Sequence, residues 1–292
     1  MRWDPDRYLE FAAERGRPFD DLIARVVAAL AGPGPDAQRH SGPQRVLDLG
    51  CGPGNLTRRL ARLWPEAEVT GVDSSPEMIA RAQATGGAHD PEVLAGPIFR
   101  LGDLRDWAPQ APVDVLVSNA TLQWLPDHLE LLPRLVSLLR PGGVLGVQVP
   151  GNFADRSHTA MRELADSPRW SRHFTGADPA RLQVADPATY LASVAALGCR
   201  ADVWETTYLH VLQGPDAVTR WVSGTGLRPF LAALPHDDAR AAFLDDYRGL
   251  VAKAYPKRAW GTVLPFRRIF LVARAPDAAT PSAGSALPGS MA

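Results

Sequence analysis

Two spacings of apolar residues alternate along the first half of the chain. Over residues 15–30 the apolar positions recur every three or four residues, which is typical of one face of an amphipathic helix. Short apolar runs bounded by turn residues, typical of buried parallel strands, follow at residues 45–49, 68–72, 113–118 and 144–149. Helical spacing returns between them, at residues 56–63, 76–84 and 129–139. Strands alternating with helices predict an α/β fold in which helices cover both faces of a mostly parallel sheet.

The pattern changes after residue 151. Helical segments dominate residues 153–197 and 215–258, and two further strand-like stretches lie at residues 202–212 and 266–273. We expect a single domain over residues 1–275, with a helical cap, from about 153–197 and 215–258, inserted in its C-terminal half. The core sheet is expected to take in residues 40–150, 200–212 and 262–275. Residues 276–292 carry few large apolar side chains, which predicts a disordered tail.

The composition narrows the class of protein. The chain has 31 basic and 32 acidic residues and a formal net charge of -1, so it lacks the basic field that gathers nucleic acid or anionic lipid. The N-terminus lacks the apolar run of a signal peptide, and no apolar stretch approaches the ~20 residues of a membrane span. Cys51 and Cys199 form neither a disulfide framework nor a metal-ligand pair. We therefore expect a cytoplasmic monomer or weak dimer that acts on a small molecule, without a metal, nucleic-acid or membrane partner.

The strongest motif is an apolar strand that runs into three glycines. Residues 46–55 have the sequence VLDLGCGPGN, in which Gly50, Gly52 and Gly54 precede a helix. Glycine permits positive φ and leaves no Cβ between backbone and ligand, so a cofactor can lie across the strand end. The spacing G-x-G-x-G lacks the second half of the dinucleotide fingerprint, which disfavours a dinucleotide. Asp48, two residues before the turn, places a carboxylate where a cationic group could meet it.

Two more acids follow the next two strands. Asp73 ends the second strand, where a carboxylate can bind both hydroxyls of a ribose. Asp103 follows the third strand and could accept a hydrogen bond from an adenine amine, although a helix N-cap is the alternative for either acid. The sequence thus has three acids and a glycine turn, without a lysine that could bind phosphate. This pattern indicates a ligand that contains a nucleoside and a positive charge but no phosphates. S-adenosylmethionine is such a ligand.

With these motifs in order, residues 46–149 resemble class I S-adenosylmethionine-dependent methyltransferases. The resemblance implies a Rossmann-like, mostly parallel seven-stranded sheet flanked by helices. It also implies S-adenosyl-L-methionine as the cofactor and S-adenosyl-L-homocysteine as its product. The residues expected to contact this cofactor are Asp48, Gly50, Cys51, Gly52, Gly54, Asp73, Ser74, Met78, Asp103, Leu104, Asn119, Ala120, Gln123, Trp124, Trp3 and Tyr8. Trp3 and Tyr8 are expected to fold over it as a lid, with a local aromatic contact as the alternative.

A narrower resemblance covers nearly the whole chain. The sequences WDP at 3–5, NATLQWLPDH at 119–128, TGLRP at 225–229 and RIFLVAR at 268–274 resemble trans-aconitate 2-methyltransferases. This resemblance implies methyl transfer to one carboxylate of trans-aconitate, which gives a monomethyl ester. The chain departs from the family pattern in the loops 31–44 and 85–96 and over residues 166–185. Residues 166–185 lie in the predicted cap.

Carboxyl methylation asks for positioning more than for side-chain chemistry. A carboxylic acid with a pKa near ~4 is already a nucleophile at pH 7, so no general base is needed. Guanidinium groups bind carboxylates through two parallel hydrogen bonds, which makes arginine the expected clamp for the acceptor's other carboxylates. The residues expected to bind or position the acceptor are Arg228, Arg268, Arg17, Arg15, Tyr208, Trp221 and His128. Surface solvation is the alternative for each arginine, core packing for Tyr208 and Trp221, and a structural role for His128.

Two other functions remain open at this stage. One is methylation of another small polycarboxylate or of an acid linked to an acyl carrier, because the cofactor half of the chain does not determine the acceptor. The other is a regulator that binds S-adenosylmethionine without catalysis. A nucleic-acid or amide N-methyltransferase is disfavoured, because residues 119–122 have the sequence NATL where that class carries Asn/Asp-Pro-Pro-Tyr.

Overall fold

The computed structural model describes residues 12–31, 42–85, 96–174 and 184–277, with side chains from Gly16 onward in the first helix. The predicted seven-stranded sheet is confirmed. Its strands are β1 (Arg45–Leu49), β2 (Glu68–Asp73), β3 (Ile98–Leu101), β4 (Val113–Asn119), β5 (Leu139–Pro150), β6 (Arg200–Leu212) and β7 (Thr262–Arg274). The strand order is β3-β2-β1-β4-β5-β7-β6. β7 runs opposite to the other six strands, so it pairs antiparallel with both β5 and β6.

Helices of the described residues cover the sheet and build the cap. They are α1 (Ala12–Ala31), α2 (Asn55–Leu63), α3 (Pro76–Ala84), α4 (His128–Ser137), α5 (Arg156–Asp166), α6 (Pro187–Ala195), α7 (Ala217–Ser223), α8 (Arg228–Ala233) and α9 (Asp237–Ala254). None of them is long and apolar enough to cross a membrane.

The apolar periodicity explains how the helices pack. Phe19, Leu22 and Val26 recur on one face of α1 and are buried against β5 and β7. On the opposite face of the sheet, Leu132 of α4 and Tyr190 of α6 are buried in one cluster with residues of β4 and β5. Each face of the sheet is therefore covered by amphipathic helices, as expected for parallel strands that are apolar throughout.

The cap has an apolar core of its own. Met161 of α5, Trp221 of α7 and Phe243 of α9 are buried together there. The cap is shorter than the sequence predicted, because α6 packs on β6 and β7 and buries Tyr190 and Val194 in the core of the sheet. Residues 187–195 thus belong to the layer that covers the sheet, although they share the helical pattern of the cap.

Two strands also begin earlier than the apolar runs predicted. β5 begins at Leu139, and its backbone continues the strand through Pro141, Gly142 and Gly143 before the apolar run starts. Gly142 has φ +70°, and the register to β4 shifts near Val113. β7 begins at Thr262 and pairs with β6 over its whole length. Of the tail predicted to be disordered over residues 276–292, the part after Asp277 lies outside the described residues.

Candidate active site

The glycine turn after β1 is fixed to β2 by its backbone. The amides of Gly50 and Cys51 both donate to the Val72 carbonyl, at 2.7 and 3.0 Å. Gly50 has φ +78°, and a Cβ there would lie 2.1 Å from Oγ1 of Thr121. Gly52, at φ +56°, has open space where its Cβ would be. The turn is therefore rigid, and its open side at Gly52 lets a ligand approach the backbone closely.

Asp73 lies where the sequence predicted it, at the carboxyl end of β2. Its Oδ1 accepts from the Ser75 amide at 2.8 Å, and its Oδ2 accepts from the Gly52 amide at 2.9 Å. Burial raises the pKa of this carboxyl, although the backbone amides oppose the shift. Each oxygen retains acceptor capacity, and the side chain lines the adjoining cleft. The carboxylate is thus preset to accept hydrogen bonds from a diol.

Asp103 lines the same cleft beyond β3. The Arg105 guanidinium forms an ion pair with it, and this interaction lowers the pKa of Asp103 below its usual range. The Arg105 amide also donates to Oδ1 of Asp103, at 2.9 Å. The carboxylate is therefore ionised at neutral pH and held at the rim of the cleft.

These groups line a cleft at the carboxyl ends of the parallel strands. Its lining is Gly50, Gly52, Pro53, Val72, Asp73, Ser74, Met78, Gly102, Asp103, Leu104, Arg105, Asn119, Ala120, Thr121, Trp124 and Leu125. Most residues predicted to contact the cofactor are thus brought to one surface.

The chemistry of the cleft fits S-adenosylmethionine. Asp73 offers carboxylate acceptors of the kind that can bind a diol, Gly52 leaves backbone surface open, and Met78 and Leu104 supply apolar wall. Oδ1 of Asn119 is buried without a partner among the described residues, and such an atom calls for a donor from a ligand or water.

Three of the predicted cofactor residues lie behind the cleft. Asp48 is 3% exposed, accepts a hydrogen bond from Oγ1 of Thr57 at 2.7 Å, and has its pKa raised by burial to about 7. Cys51 is buried, and burial raises the pKa of its thiol. Gly54 is the N-cap of α2 and leaves room for the Phe99 ring, which a Cβ would meet at 2.5 Å. In this structure these residues support the turn and do not line the cleft.

A second cavity opens between the sheet and the cap. Its lining is Asn119, Ala120, Gln123, Trp124, Pro150, Asn152, Phe153, His158, Trp221, Val222, Thr225, Gly226, Phe266 and Arg268. Asn119, Ala120 and Trp124 line both cavities. Two ligands bound in the two cavities would therefore meet at this shared wall.

Arg268 carries the positive charge of this second cavity. It lies in β7, is 6% exposed, and stacks on the Phe266 ring with its Cζ 4.3 Å from the centroid. Its Nη1 donates to Oε1 of Gln148, at 3.4 Å. The described lining contains no carboxylate side chain. The cavity is thus suited to an anion.

Trp221, predicted as an acceptor contact, lines this cavity and packs on Phe266 and His210. Gln123, predicted as a cofactor contact, also lines it. Its Nε2 donates to the Ala120 carbonyl at 2.6 Å, whereas its buried Oε1 has no partner.

Other predicted acceptor residues lie elsewhere. His128 is buried between α4 and α6: its Nδ1 donates to the Leu125 carbonyl at 2.9 Å, so its Nε2 accepts from the Tyr190 hydroxyl at 2.7 Å. Both ring nitrogens are thereby used within the protein, and the ring does not line the cavity. The structure replaces the predicted acceptor contact with packing between two helices.

Tyr208 and Arg17 also lie outside the described lining. The Tyr208 hydroxyl donates to Asp21 of α1, and the Arg17 guanidinium lies 5.1 Å from the centroid of its ring. This cluster joins α1 to β6. Arg228 is half-buried at the start of α8, where its amide donates to the Thr225 carbonyl, and it is not part of the described lining. Trp3, Tyr8 and the Arg15 side chain lie outside the described residues.

The second cavity is also lined by three residues that were not predicted from the sequence: Asn152, Phe153 and His158. Asn152 and Phe153 directly follow β5, at the sheet edge where ligands bind in open α/β folds, so their position was a usable signal. His158 had no such signal, because it reaches the cavity only through the placement of α5 in the cap.

Comparisons with known proteins agree with this architecture. A family described as "Methyltransferase domain" matches residues 46–143. Among solved structures, YcgJ from Bacillus subtilis has a TM-score of 0.54 at 15% identity, covering 87% of this chain and 100% of that one. A putative methyltransferase from Bacillus halodurans has a TM-score of 0.51 at 15% identity, covering 88% and 99%. At this identity the two structures establish the fold alone.

Curated relatives are much closer in sequence. A trans-aconitate 2-methyltransferase from Streptomyces coelicolor is 51% identical, over 94% of this chain and 87% of its own. The enzyme of the same name from Streptomyces avermitilis is 52% identical, over 93% and 96%. One from Methylobacterium nodulans is 45% identical, over 93% and 98%. The chain belongs to the trans-aconitate 2-methyltransferase family and is an S-adenosylmethionine-dependent methyltransferase.

Proposed function

We propose that this enzyme transfers a methyl group from S-adenosylmethionine to one carboxylate of trans-aconitate and releases the monomethyl ester. The three curated relatives reported above are named trans-aconitate 2-methyltransferase. The structural observation that carries the proposal is the buried guanidinium of Arg268, in a cavity that shares a wall with the cofactor cleft. A buried guanidinium in the wall of this cavity favours an anionic acceptor.

The reaction depends on positioning. S-adenosylmethionine, when bound, supplies an electrophilic methyl group on a positively charged sulfur. The acceptor carboxylate is ionised at pH 7, since unperturbed carboxyl groups have pKa values near ~4, and it attacks without a general base. In this proposal Arg268 binds a second carboxylate of the acceptor and aims the first at the shared wall.

The apolar residues of the cavity have a different task. Trp221, Phe266 and Phe153 line it and reduce the water around the attacking anion. A carboxylate that loses hydration at the moment of attack is a stronger nucleophile, so this lining should raise the rate once the acceptor is aligned.

The first experiment is a mass-spectrometric assay of purified protein with S-adenosylmethionine and trans-aconitate, cis-aconitate, isocitrate or citrate. We expect a product heavier by one methylene from trans-aconitate, ahead of the other acids. A different preferred acid would keep the carboxyl methyltransferase and change the acceptor. No product from any acid, with cofactor bound, would favour a regulator without catalysis.

Variants of β7 test the role of Arg268. Arg268→Leu should lower kcat/KM for trans-aconitate at least ~10-fold, because a charge-assisted hydrogen bond to the acceptor is lost. Arg274→Leu is the matched control, since Arg274 lies on the same strand and donates to the Ala29 carbonyl, away from the cavity. Arg228→Leu tests the other predicted clamp, and unchanged acceptor kinetics would leave Arg268 as the clamp.

We also propose that the enzyme is located in the cytoplasm and is a monomer or a weak dimer. Both Cys51 and Cys199 are buried free thiols, which suits a reducing compartment. Cell fractionation and light scattering on the purified protein test these two points.

A further inference from the structure

His158 lies on the first turn of α5 with its half-buried ring in the wall of the acceptor cavity, the same cavity that holds Arg268. Its Nδ1 lies 3.2 Å from Oγ of Ser157 and 3.5 Å from Nδ2 of Asn152. Its Nε2 lies on the other side of the ring and faces Gly226, another residue of the cavity wall.

Burial beside Arg162 lowers the pKa of His158 to about 4, so the ring is neutral at pH 7 and carries one N–H. Asn152 is 1% exposed, and its side-chain amide and the Ser157 hydroxyl both lie against Nδ1. When these groups donate to Nδ1, the hydrogen of the imidazole is on Nε2. In this tautomer His158 presents an N–H donor on the cavity side.

Gly226 makes room for this donor. A Cβ at position 226 would lie 3.2 Å from Nε2 of His158 and 3.4 Å from the methyl carbon of Met161. The glycine belongs to the TGLRP sequence that the resemblance singled out, and its conformation needs no positive φ. A side chain at this position would require the imidazole to move by a few tenths of an ångström.

We propose that the Nε2–H of His158 binds a remote carboxylate of the acceptor other than the one held by Arg268, with Asn152 as the positioning residue that fixes the tautomer. The inference rests on the proposed function, because it assigns two handles to a tricarboxylate. One carboxylate is methylated, the second meets the guanidinium, and the third meets a neutral donor.

Two substitutions of His158 separate hydrogen bonding from packing. His158→Leu keeps a similar volume and removes the donor, and it should raise KM for trans-aconitate about 10-fold or more. His158→Gln can place an amide NH₂ near the position of Nε2 and should recover most of the loss. If the ring only fills space, leucine will be tolerated as well as glutamine. Melting temperature and cofactor affinity, measured for both variants, detect general damage.

Three dicarboxylates identify the group that His158 holds. Itaconate, mesaconate and (Z)-glutaconate each lack a different carboxylate of trans-aconitate. Their inhibition constants against trans-aconitate methylation can be measured even where they are not methylated themselves. We expect His158→Leu to weaken two of them as it weakens trans-aconitate, and to leave the third, which lacks the His158-bound carboxylate, unchanged. An equal loss for all three would overturn the proposal.

A double-mutant cycle tests Asn152. Asn152→Ala should raise KM in the wild-type background and add little in the His158→Leu background, because it acts through the imidazole. Additive effects would contradict the positioning role. Failure of the proposed function gives a separate result, since wild-type protein would then not methylate trans-aconitate at all. Wild-type activity with unaltered KM in His158→Leu would reject the second handle alone.

Discussion

At the scale of single residues, Asp73 combines a fixed carboxylate with free acceptor capacity toward the cleft. We predict that Asp73→Ala weakens S-adenosylmethionine binding at least ~10-fold, because two charge-assisted hydrogen bonds to the ribose are lost. Titration calorimetry measures the affinity. Asp106→Ala removes an exposed carboxylate that does not line the cleft and is the matched control. Equal affinity in the Asp73 variant and the wild type would remove Asp73 from the cofactor site.

The buried carboxyl of Asp48 should make the free energy of unfolding depend on pH. Burial raises its pKa from 3.8 to about 7 in the folded protein, so between these values the folded state binds a proton that the unfolded chain has released. The free energy of unfolding therefore falls as pH rises through this range and stays lower above pH 7. Asp48→Asn cannot ionise, so its melting temperature should gain on that of the wild type between pH 5 and pH 8.

Thermal unfolding without ligand at several pH values measures this difference. Titrations common to both proteins cancel in the comparison, and Asp106→Asn, at an exposed position, should show no such trend. A difference between Asp48→Asn and wild type that is independent of pH would show that Asp48 is ionised throughout.

The sequence predicted single residues well where a strand end determines their position. Asp73, Asp103 and Asn119 follow parallel strands, whose carboxyl ends share one edge of the sheet, so their convergence followed from local pattern. His158 could not be predicted, because its role depends on contacts with Asn152 and Gly226 that only the folded cap brings together.

At the scale of elements, the His128–Tyr190 hydrogen bond joins α4 to α6 inside the core. Tyr190→Phe leaves the buried Nε2 of His128 without its donor, which should cost about 1–3 kcal/mol of folding free energy. We expect a lower melting temperature and an unchanged KM for the acceptor. A change in KM with normal stability would return His128 to the acceptor site.

The element pattern was predictable where periodicity and burial agree, as in α1 and β1. It was not where one pattern serves two packings. The apolar positions of α6 could face either the cap or the sheet, and only the pairing of β6 with β7 places this helix on the sheet. In β5 the sequence PGG at 141–143 interrupts the apolar run although the backbone continues the strand.

At the scale of the whole molecule, the sheet builds one cavity and the sheet and cap together build the other. The cleft beside Asp73 depends on loops at the strand ends, whereas the cavity that Arg268 lines needs α5 and α7 placed against β7. This division explains why motifs brought most residues of the first lining together in advance, and why most residues of the second lining had no such signal. The two cavities meet at Asn119, Ala120 and Trp124.

The same wall contains a residue in an unusual backbone conformation. Ala120 has φ +54°, a conformation that is unusual for a residue with a Cβ, and its amide donates to the Gln148 carbonyl at 2.8 Å. Gln123 holds the Ala120 carbonyl from the other side. A strained segment held by hydrogen bonds keeps its geometry when ligands bind, which suits a wall that must align two reactants.

We therefore predict that Trp124→Ala, which removes the largest side chain of the shared wall, lowers kcat at least ~10-fold, because small misalignments of reacting atoms are costly and water enters. Cofactor affinity and acceptor KM should change less than kcat. Trp204→Ala is the control for losing a tryptophan: Trp204 stacks on Phe270 with centroids 4.7 Å apart, outside both cavities, and its loss should lower the melting temperature with kcat preserved. If Trp124→Ala instead raises only KM while kcat stays normal, the indole binds the acceptor and does not hold the two reactants in line.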